Sequence, residues 1–288
     1  MKSITILTII LLTSKIHARV PTLWNRSIPV DDKPVIIAVI DTGIDTNHQD
    51  LKHHLWINEG EAGLDANGID KSNNQIDDDS NGYIDDLYGW NFVKNSPNVN
   101  DNHGHGTHVS GIIAGISKPK LNHPSLRPVK IMTLKYYDNK SKANDTLNNT
   151  IKSIEYAVQM GAHIINYSSG GHVFSPLEKK AIQKATEQGV LFITAAGNDG
   201  RNLKSHNYYP ANYNLNNLYS VEAEIGKNRR LPSSNFGNTH FKAPGYRVYS
   251  TLPNQEYGYL SGTSQATAFI SRKIAVSNGS DDENETAD

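Results

Sequence analysis

The strongest constraint on how this chain folds is a set of short, unbroken apolar runs that each stop at a polar or small residue. Val35-Ile36-Ile37-Ala38-Val39-Ile40 ends at Asp41, and comparable runs follow at Val129 to Leu134, His163 to Tyr167 and Val190 to Ala195. A run without apolar–polar alternation is what a parallel strand covered on both faces requires. Thr146 to Met160 and Pro176 to Gln188 read as helices between them. In the first, Leu147, Ile151, Ile154 and Val158 recur every three or four residues and form one apolar stripe. Strands alternating with helices predict an α/β domain of three layers, a central, mostly parallel sheet flanked by helices. Functional side chains then gather at the carboxyl ends of strands and at the helix starts beside them. A chain of 288 residues fits one large domain of this kind.

Composition narrows the class further. A net charge of −1 gives no basic surface for nucleic acid or anionic lipid, so neither is expected as a partner. At the N-terminus Lys2 precedes an apolar run from Ile4 to Leu12, followed by Thr13 to Ala18. A charged residue, a short apolar stretch and a small residue at the cut describe a secretory signal, expected over residues 1–18. That run is too short to span a bilayer. The expected product is secreted, extracellular or periplasmic, free of the membrane after cleavage, and a monomer. With no cysteine, its stability must come from packing or a bound metal. The folded domain is expected over 19–276, and the acidic tail 277–288, poor in large apolar residues, is expected to be disordered.

Four windows carry chemistry: Asp41-Thr42-Gly43, His105-Gly106-Thr107-His108, Ala195-Ala196-Gly197-Asn198 and Gly262-Thr263-Ser264. Ser264 opens a stretch of small and apolar residues, Gln265 to Ile274, and a serine hydroxyl becomes a nucleophile only beside a base. His105, ahead of the apolar helix Val109 to Ile116, is the candidate base, because imidazole exchanges protons near neutral pH. Asp41 would orient that imidazole. Asn198 and the Ser264 backbone N–H would hold an oxyanion. Each residue alone has an ordinary reading too. Ser264 could cap a helix, Asp41 and Asn198 could serve turns, and His103, His105 and His108 could pack at a helix start or ligate zinc. The histidines lack the H-E-x-x-H spacing of zinc hydrolases.

The segment from Asn58 to Asn91 is rich in Asp, Asn and Gly and reads as one long loop. Asp77, Asp79, Asn81 and Gly82 follow the D-x-D-x-N-G pattern of a calcium loop, with Asp85 and Asp86 behind them. Tyr88 stands where an EF-hand has its bidentate glutamate. A structural Ca2+ held by Asp77, Asp79, Asn81, Asp85 and Asp86 is expected, against the alternative of a solvated acidic loop.

From Val35 to Ala268 the chain resembles the subtilisin-like serine proteases. The resemblance rests on Asp41-Thr42-Gly43-Ile44-Asp45, His105-Gly106-Thr107-His108-Val109-Ser110-Gly111, Ala196-Gly197-Asn198 and Gly262-Thr263-Ser264-Gln265-Ala266. Their order, Asp then His then Ser, is that of subtilisin. The resemblance implies a serine endopeptidase acting on proteins or peptides through an acyl-enzyme, with Ser264 attacking, His105 moving the proton and Asp41 holding the histidine. It implies that Ser168-Ser169-Gly170 is an edge strand pairing with extended substrate. It also puts Asp199 on the rim of the pocket for the residue before the scissile bond, tilting that pocket towards basic or polar side chains. Many subtilases carry a similar loop and bind calcium.

Three departures from the family pattern set further expectations. About fifteen residues lie between Ala18 and the first strand, too few for the family's pro-domain. Ala268 replaces the usual proline after the serine. The sequence turns polar from Lys273, so the last helix is expected to expose one face. A second reading of the same residues is a catalytically impaired or truncated relative that binds calcium or peptides.

Overall fold

A computed structural model describes residues 33–118, 127–226 and 228–277. The expected signal segment, and the acidic tail beyond Ser277, lie outside the described residues. Seven strands form one parallel sheet: β1 (Val35–Asp41), β2 (Gly89–Asn91), β3 (Val129–Lys135), β4 (Ile164–Tyr167), β5 (Leu191–Ala195), β6 (Leu218–Glu224) and β7 (Phe241–Pro244). Their order across the sheet is β2-β3-β1-β4-β5-β6-β7. The four apolar runs are β1, β3, β4 and β5, the middle of the sheet, where burial on both faces leaves no place for polar alternation.

Side chains leave successive strand positions on opposite faces, and β1 shows both. Val35, Ile37 and Val39 join one core with α1 (His105–Ala114) and α4 (Thr263–Val276). Ala38 and Ile40 join the other with α2 (Ala143–Gln159) and α3 (Pro176–Glu187). Two helices on each face of the sheet make the three layers. A small antiparallel pair, β8 (Val248–Leu252) and β9 (Glu256–Leu260), lies beside α1. No described helix is long and apolar enough to cross a membrane.

Two expectations change. The Asn58–Asn91 loop ends in strand β2, which extends the sheet beyond β3, and it contains two short 3-10 turns, Glu59–Glu61 and Lys71–Asn73. Ser168-Ser169-Gly170 follows β4 just beyond its paired register, which stops at Tyr167, between β1 and β5. The last helix does not expose a face. α4 is buried at every position except Lys273, because it runs beneath β4 to β7 and against α1 rather than along the outside.

Phe269, at 2% exposure, reports on that enclosure. Phe269→Ala is expected to cost about 3–5 kcal/mol, read from the midpoint of urea unfolding. A loss below about 1 kcal/mol would mean that the helix face is open to water.

Candidate active site

β1 ends in Asp41, which is 3% exposed and accepts a hydrogen bond from the Thr42 backbone N–H at 2.7 Å. His105 is the first residue of α1. Its Nδ1 lies 2.8 Å from Asp41 Oδ1 and 3.0 Å from Oδ2. A carboxylate only accepts, so Nδ1 carries the proton and Nε2 is left as an acceptor. Burial pushes the imidazole pKa down, but the charge and hydrogen bond of Asp41, with the charge of Asp101 behind them, more than offset it. The pKa ends above its ordinary value. The charged pair therefore stabilises the fold fully below the unfolded histidine pKa, and that contribution fades as pH rises through the folded one.

Close approach of α1 to the turn after β1 depends on glycine. A Cβ on Gly106 would lie 2.1 Å from the Gly43 carbonyl oxygen and 3.2 Å from Asp41 Cβ. Gly43 has φ +109°, and a Cβ there would lie 2.3 Å from the Val99 carbonyl oxygen. The two segments are joined by Asp101, which sequence reasoning passed over. Its Oδ1 accepts from Thr42 Oγ1 at 3.0 Å and from the N–H groups of His103 and Gly104, each at 2.9 Å. Its Oδ2 accepts from the Thr107 N–H at 2.9 Å and from Thr107 Oγ1 at 2.7 Å. Thr42 Oγ1 accepts in turn from the Gly106 N–H at 2.9 Å. Asp101 thus does for α1 what a capping side chain does, since Gly104 at the cap position has none. An acidic residue just ahead of a helix start was the available signal.

Of the other two histidines in this stretch, His108 is committed elsewhere. His108 is fully buried, with Nε2 donating to the carbonyls of Val248 at 3.1 Å and Gly258 at 3.3 Å. Burial pushes its pKa down to about 4. The His103 and His105 rings stand edge to face with centroids 6.3 Å apart. Among the described residues the histidines do not converge as metal ligands.

Ser264 occupies the first turn of α4, where backbone N–H groups lack helical partners. It is 7% exposed, and its hydroxyl donates to the Ser168 carbonyl at 3.0 Å rather than to His105. Ser168 Oγ donates back to the Ser264 carbonyl at 3.1 Å and accepts from Asn166 Nδ2 at 3.0 Å. Ser271 Oγ completes the chain by donating to Asn166 Oδ1 at 2.9 Å, which ties α4 to the end of β4. Asn198 Oδ1 accepts from the Thr263 N–H at 2.9 Å and from Thr263 Oγ1 at 3.1 Å. With its oxygen engaged, the exposed Asn198 side chain keeps Nδ2 as a donor. Asp199 is exposed but not solitary: Oδ2 lies 3.4 Å from His172 Nε2 and 3.3 Å from Asn235 Nδ2.

The acidic loop brings together a different set from the expected one. Glu61, Asp79 and Asp86 place ligand oxygens within 4.8 Å of one another. Asn58 Nδ2 donates to Asp79 Oδ2 and Asp86 Oδ1 at 2.9 and 2.7 Å, and Asn81 Nδ2 to Asp79 Oδ2 and Asp86 Oδ2 at 3.2 and 2.9 Å. Asp77 and Asp85 stand outside this group. Asp77 accepts from the N–H groups of Asn81 and Gly82, and Asp85 from that of Gln75. Glu61 lies far upstream, outside the spacing pattern, and reaches Asp79 because Gly60 leaves room: a Cβ there would lie 2.4 Å from Asp79 Cβ. Burial raises the pKa of both Glu61 and Asp86. Glu61 Oε2 is buried with no hydrogen-bond partner. Two buried carboxylates and an exposed third, with one orphaned oxygen, suit a hard divalent cation.

Asp101→Asn removes the charge that gathers five donors. It is expected to destabilise the chain by about 2–4 kcal/mol, measured by urea unfolding. The His105 pKa should also fall, followed by NMR titration of its ring protons. An unchanged stability and an unchanged titration would together contradict the clamp.

The model of the family described as "Subtilase family" matches residues 32–285. Subtilisin-like protease 1 of Plasmodium berghei is 32% identical over 254 residues, which cover 81% of this chain and 41% of that protein. The chain thus spans about two-fifths of the length of that relative. The major intracellular serine protease of Bacillus subtilis is 34% identical over 269 residues, covering 90% of this chain and 72% of that one. Among solved structures, a cold-adapted subtilisin-like serine proteinase superposes with a TM-score of 0.63 at 24% identity, covering 86% of this chain and 76% of its own, a likeness of fold. On the family match and these identities, the chain belongs to the subtilase family.

Proposed function

We propose that the chain is a serine endopeptidase that hydrolyses peptide bonds in proteins or peptides through an acyl-enzyme. The observation that carries this reading is the doubly contacted Asp41–His105 pair, which leaves Nε2 as the basic atom. The Ser264 hydroxyl first turns about χ1 off the Ser168 carbonyl; catalytic hydrogen bonds are often unaligned before substrate binds. Nε2 then takes the hydroxyl proton as Oγ attacks the peptide carbonyl carbon. The resulting oxyanion accepts from Asn198 Nδ2 and the Ser264 N–H. Collapse breaks the C–N bond, and His105 returns the proton to the leaving amine. Water repeats the sequence on the ester and frees Ser264. The charged, apolar and small-residue order of residues 1–18 supports export of the chain.

The same reading places a structural Ca2+ between Glu61, Asp79 and Asp86, where it would supply positive charge to carboxylates that repel one another. The raised pKa values of Glu61 and Asp86 mean that the ion-free fold loses stability as pH rises from the unfolded carboxylate range through the folded values. A cation offsets that loss at neutral pH. Calcium at 100 times its dissociation constant is expected to add about 2.7 kcal/mol. That should raise Tm by roughly 5–10 °C over a sample in chelator. Glu61→Gln should lose most of the gain. An equal gain in Glu61→Gln, or no gain in the parent chain, would contradict the site.

Activity offers the direct test of the chemistry. Only neutral His105 accepts a proton, so kcat/KM on a peptide should rise with pH and level off above a pKa higher than 6.5. Asp41→Asn removes both the charge and the acceptor, so the limb should move to lower pH while kcat falls by about 10⁴, as in other serine proteases of this design. A profile unmoved by Asp41→Asn would reject His105 as the base.

A further inference from the structure

We propose that Tyr208 sets the specificity of the pocket that receives the side chain before the scissile bond, and that it confines that pocket to glycine, alanine or serine. The inference rests on the endopeptidase reading and deepens it. Two segments flank the nucleophile: Ser168 to Gly170, whose first carbonyl lies 3.0 Å from Ser264 Oγ, and Gly197 to Asp199, joined to α4 through Asn198. A substrate carbonyl seated at Ser264 and Asn198 sends the preceding side chain into the gap between them.

The Tyr208 ring already stands in that gap. A Cβ on Gly170 would lie 2.6 Å from Tyr208 Cε1 and 3.1 Å from Cζ, while one on Gly197 would lie 3.0 Å from Cδ2 and from Cε2. These are opposite edges of one ring, so it spans the gap from wall to wall. Gly170 could not carry a methyl group without striking the ring, and at Gly197, whose φ of +96° already calls for glycine, the ring lies against the space a methyl group would take. The backbone beneath is fixed as well. Gly171 and Tyr209 exchange two backbone hydrogen bonds, at 2.8 and 2.7 Å, and the Tyr208 N–H donates to Asn212 Oδ1 at 3.0 Å. His172 packs edgewise on the ring with centroids 5.4 Å apart, while its Nε2 reaches Asp199 at 3.4 Å. The ring is held on two edges and from one side, and only its half-buried remainder faces a substrate. A short side chain fits above a ring so placed, whereas an aromatic or long aliphatic one collides with it. A basic side chain would also have to displace His172 from Asp199.

The test is hydrolysis of a matched peptide series with Ala, Phe, Lys or Glu before the scissile bond, by the full chain with calcium present. Ala is expected to exceed Phe in kcat/KM by ~100-fold, the scale of misfit in a shaped pocket. Tyr208→Gly is expected to bring Phe level with Ala or above it. Tyr208→Phe, which keeps the ring and folds most conservatively, should retain the parent ranking. Equal rates for Ala and Phe in the parent chain overturn the proposal alone, as does an unchanged ranking in Tyr208→Gly. Failure to cut any member of the series overturns the endopeptidase reading and this inference with it.

Discussion

One buried carboxylate holds the proposed site in register. Asp101 joins the turn after β1 to the first turn of α1, and with it places Asp41 against His105. A helix start and a strand end cannot come this close by packing alone. The free N–H groups of the helix would go unsatisfied, and any side chain at Gly106 would hold the segments apart. The clamp and the two glycines are therefore one device, and the geometry at His105 Nδ1 follows from it.

The second half of the site is built on the same principle at the other helix. α4 begins beneath the carboxyl ends of β4 and β5, and its first turn is tied on two sides, to Asn198 through Thr263 and to Ser168 through Ser264. Because α4 is enclosed by the sheet and α1, its start has little freedom to drift relative to α1. Ser264 and His105 thus sit at the starts of two helices packed against each other on one face of the sheet. Rigid elements position both, and loops flank them.

What the sequence discloses follows burial. β1, β3, β4 and β5 are legible as continuous apolar runs because both faces are covered. β6 is not, since Tyr219, Ser220 and Glu222 interrupt it; in the fold Ser220 bonds His240, and Glu222 meets Lys242 at 3.4 Å. The β8–β9 turn escaped because Asn254 and Gln255, both at φ +64°, lack the glycine that marks such turns. Asp41, His105, Ser264 and Asn198 were readable from local motifs. Glu61 and Tyr208 were not, because each acts on residues that are near only after folding; Asp101 bonds mostly to its own neighbours His103, Gly104 and Thr107, and its position just ahead of a helix start was the signal passed over. Glu61 joins Asp79 and Asp86 across the loop, and Tyr208 lies between two glycines from separate strands' ends. Motif spacing instead favoured Asp77 and Asp85, whose oxygens serve the loop's own backbone.

The central claim is that Ser264 is a nucleophile activated by His105, and covalent labelling tests it most directly. A fluorophosphonate reagent should add once to the folded, calcium-loaded chain, with the mass shift mapped by peptide mass spectrometry to the segment containing Ser264. The adduct should be absent from Ser264→Ala and form far more slowly in His105→Ala. A folded chain that stays unlabelled, or a label carried equally by Ser264→Ala, would contradict the account.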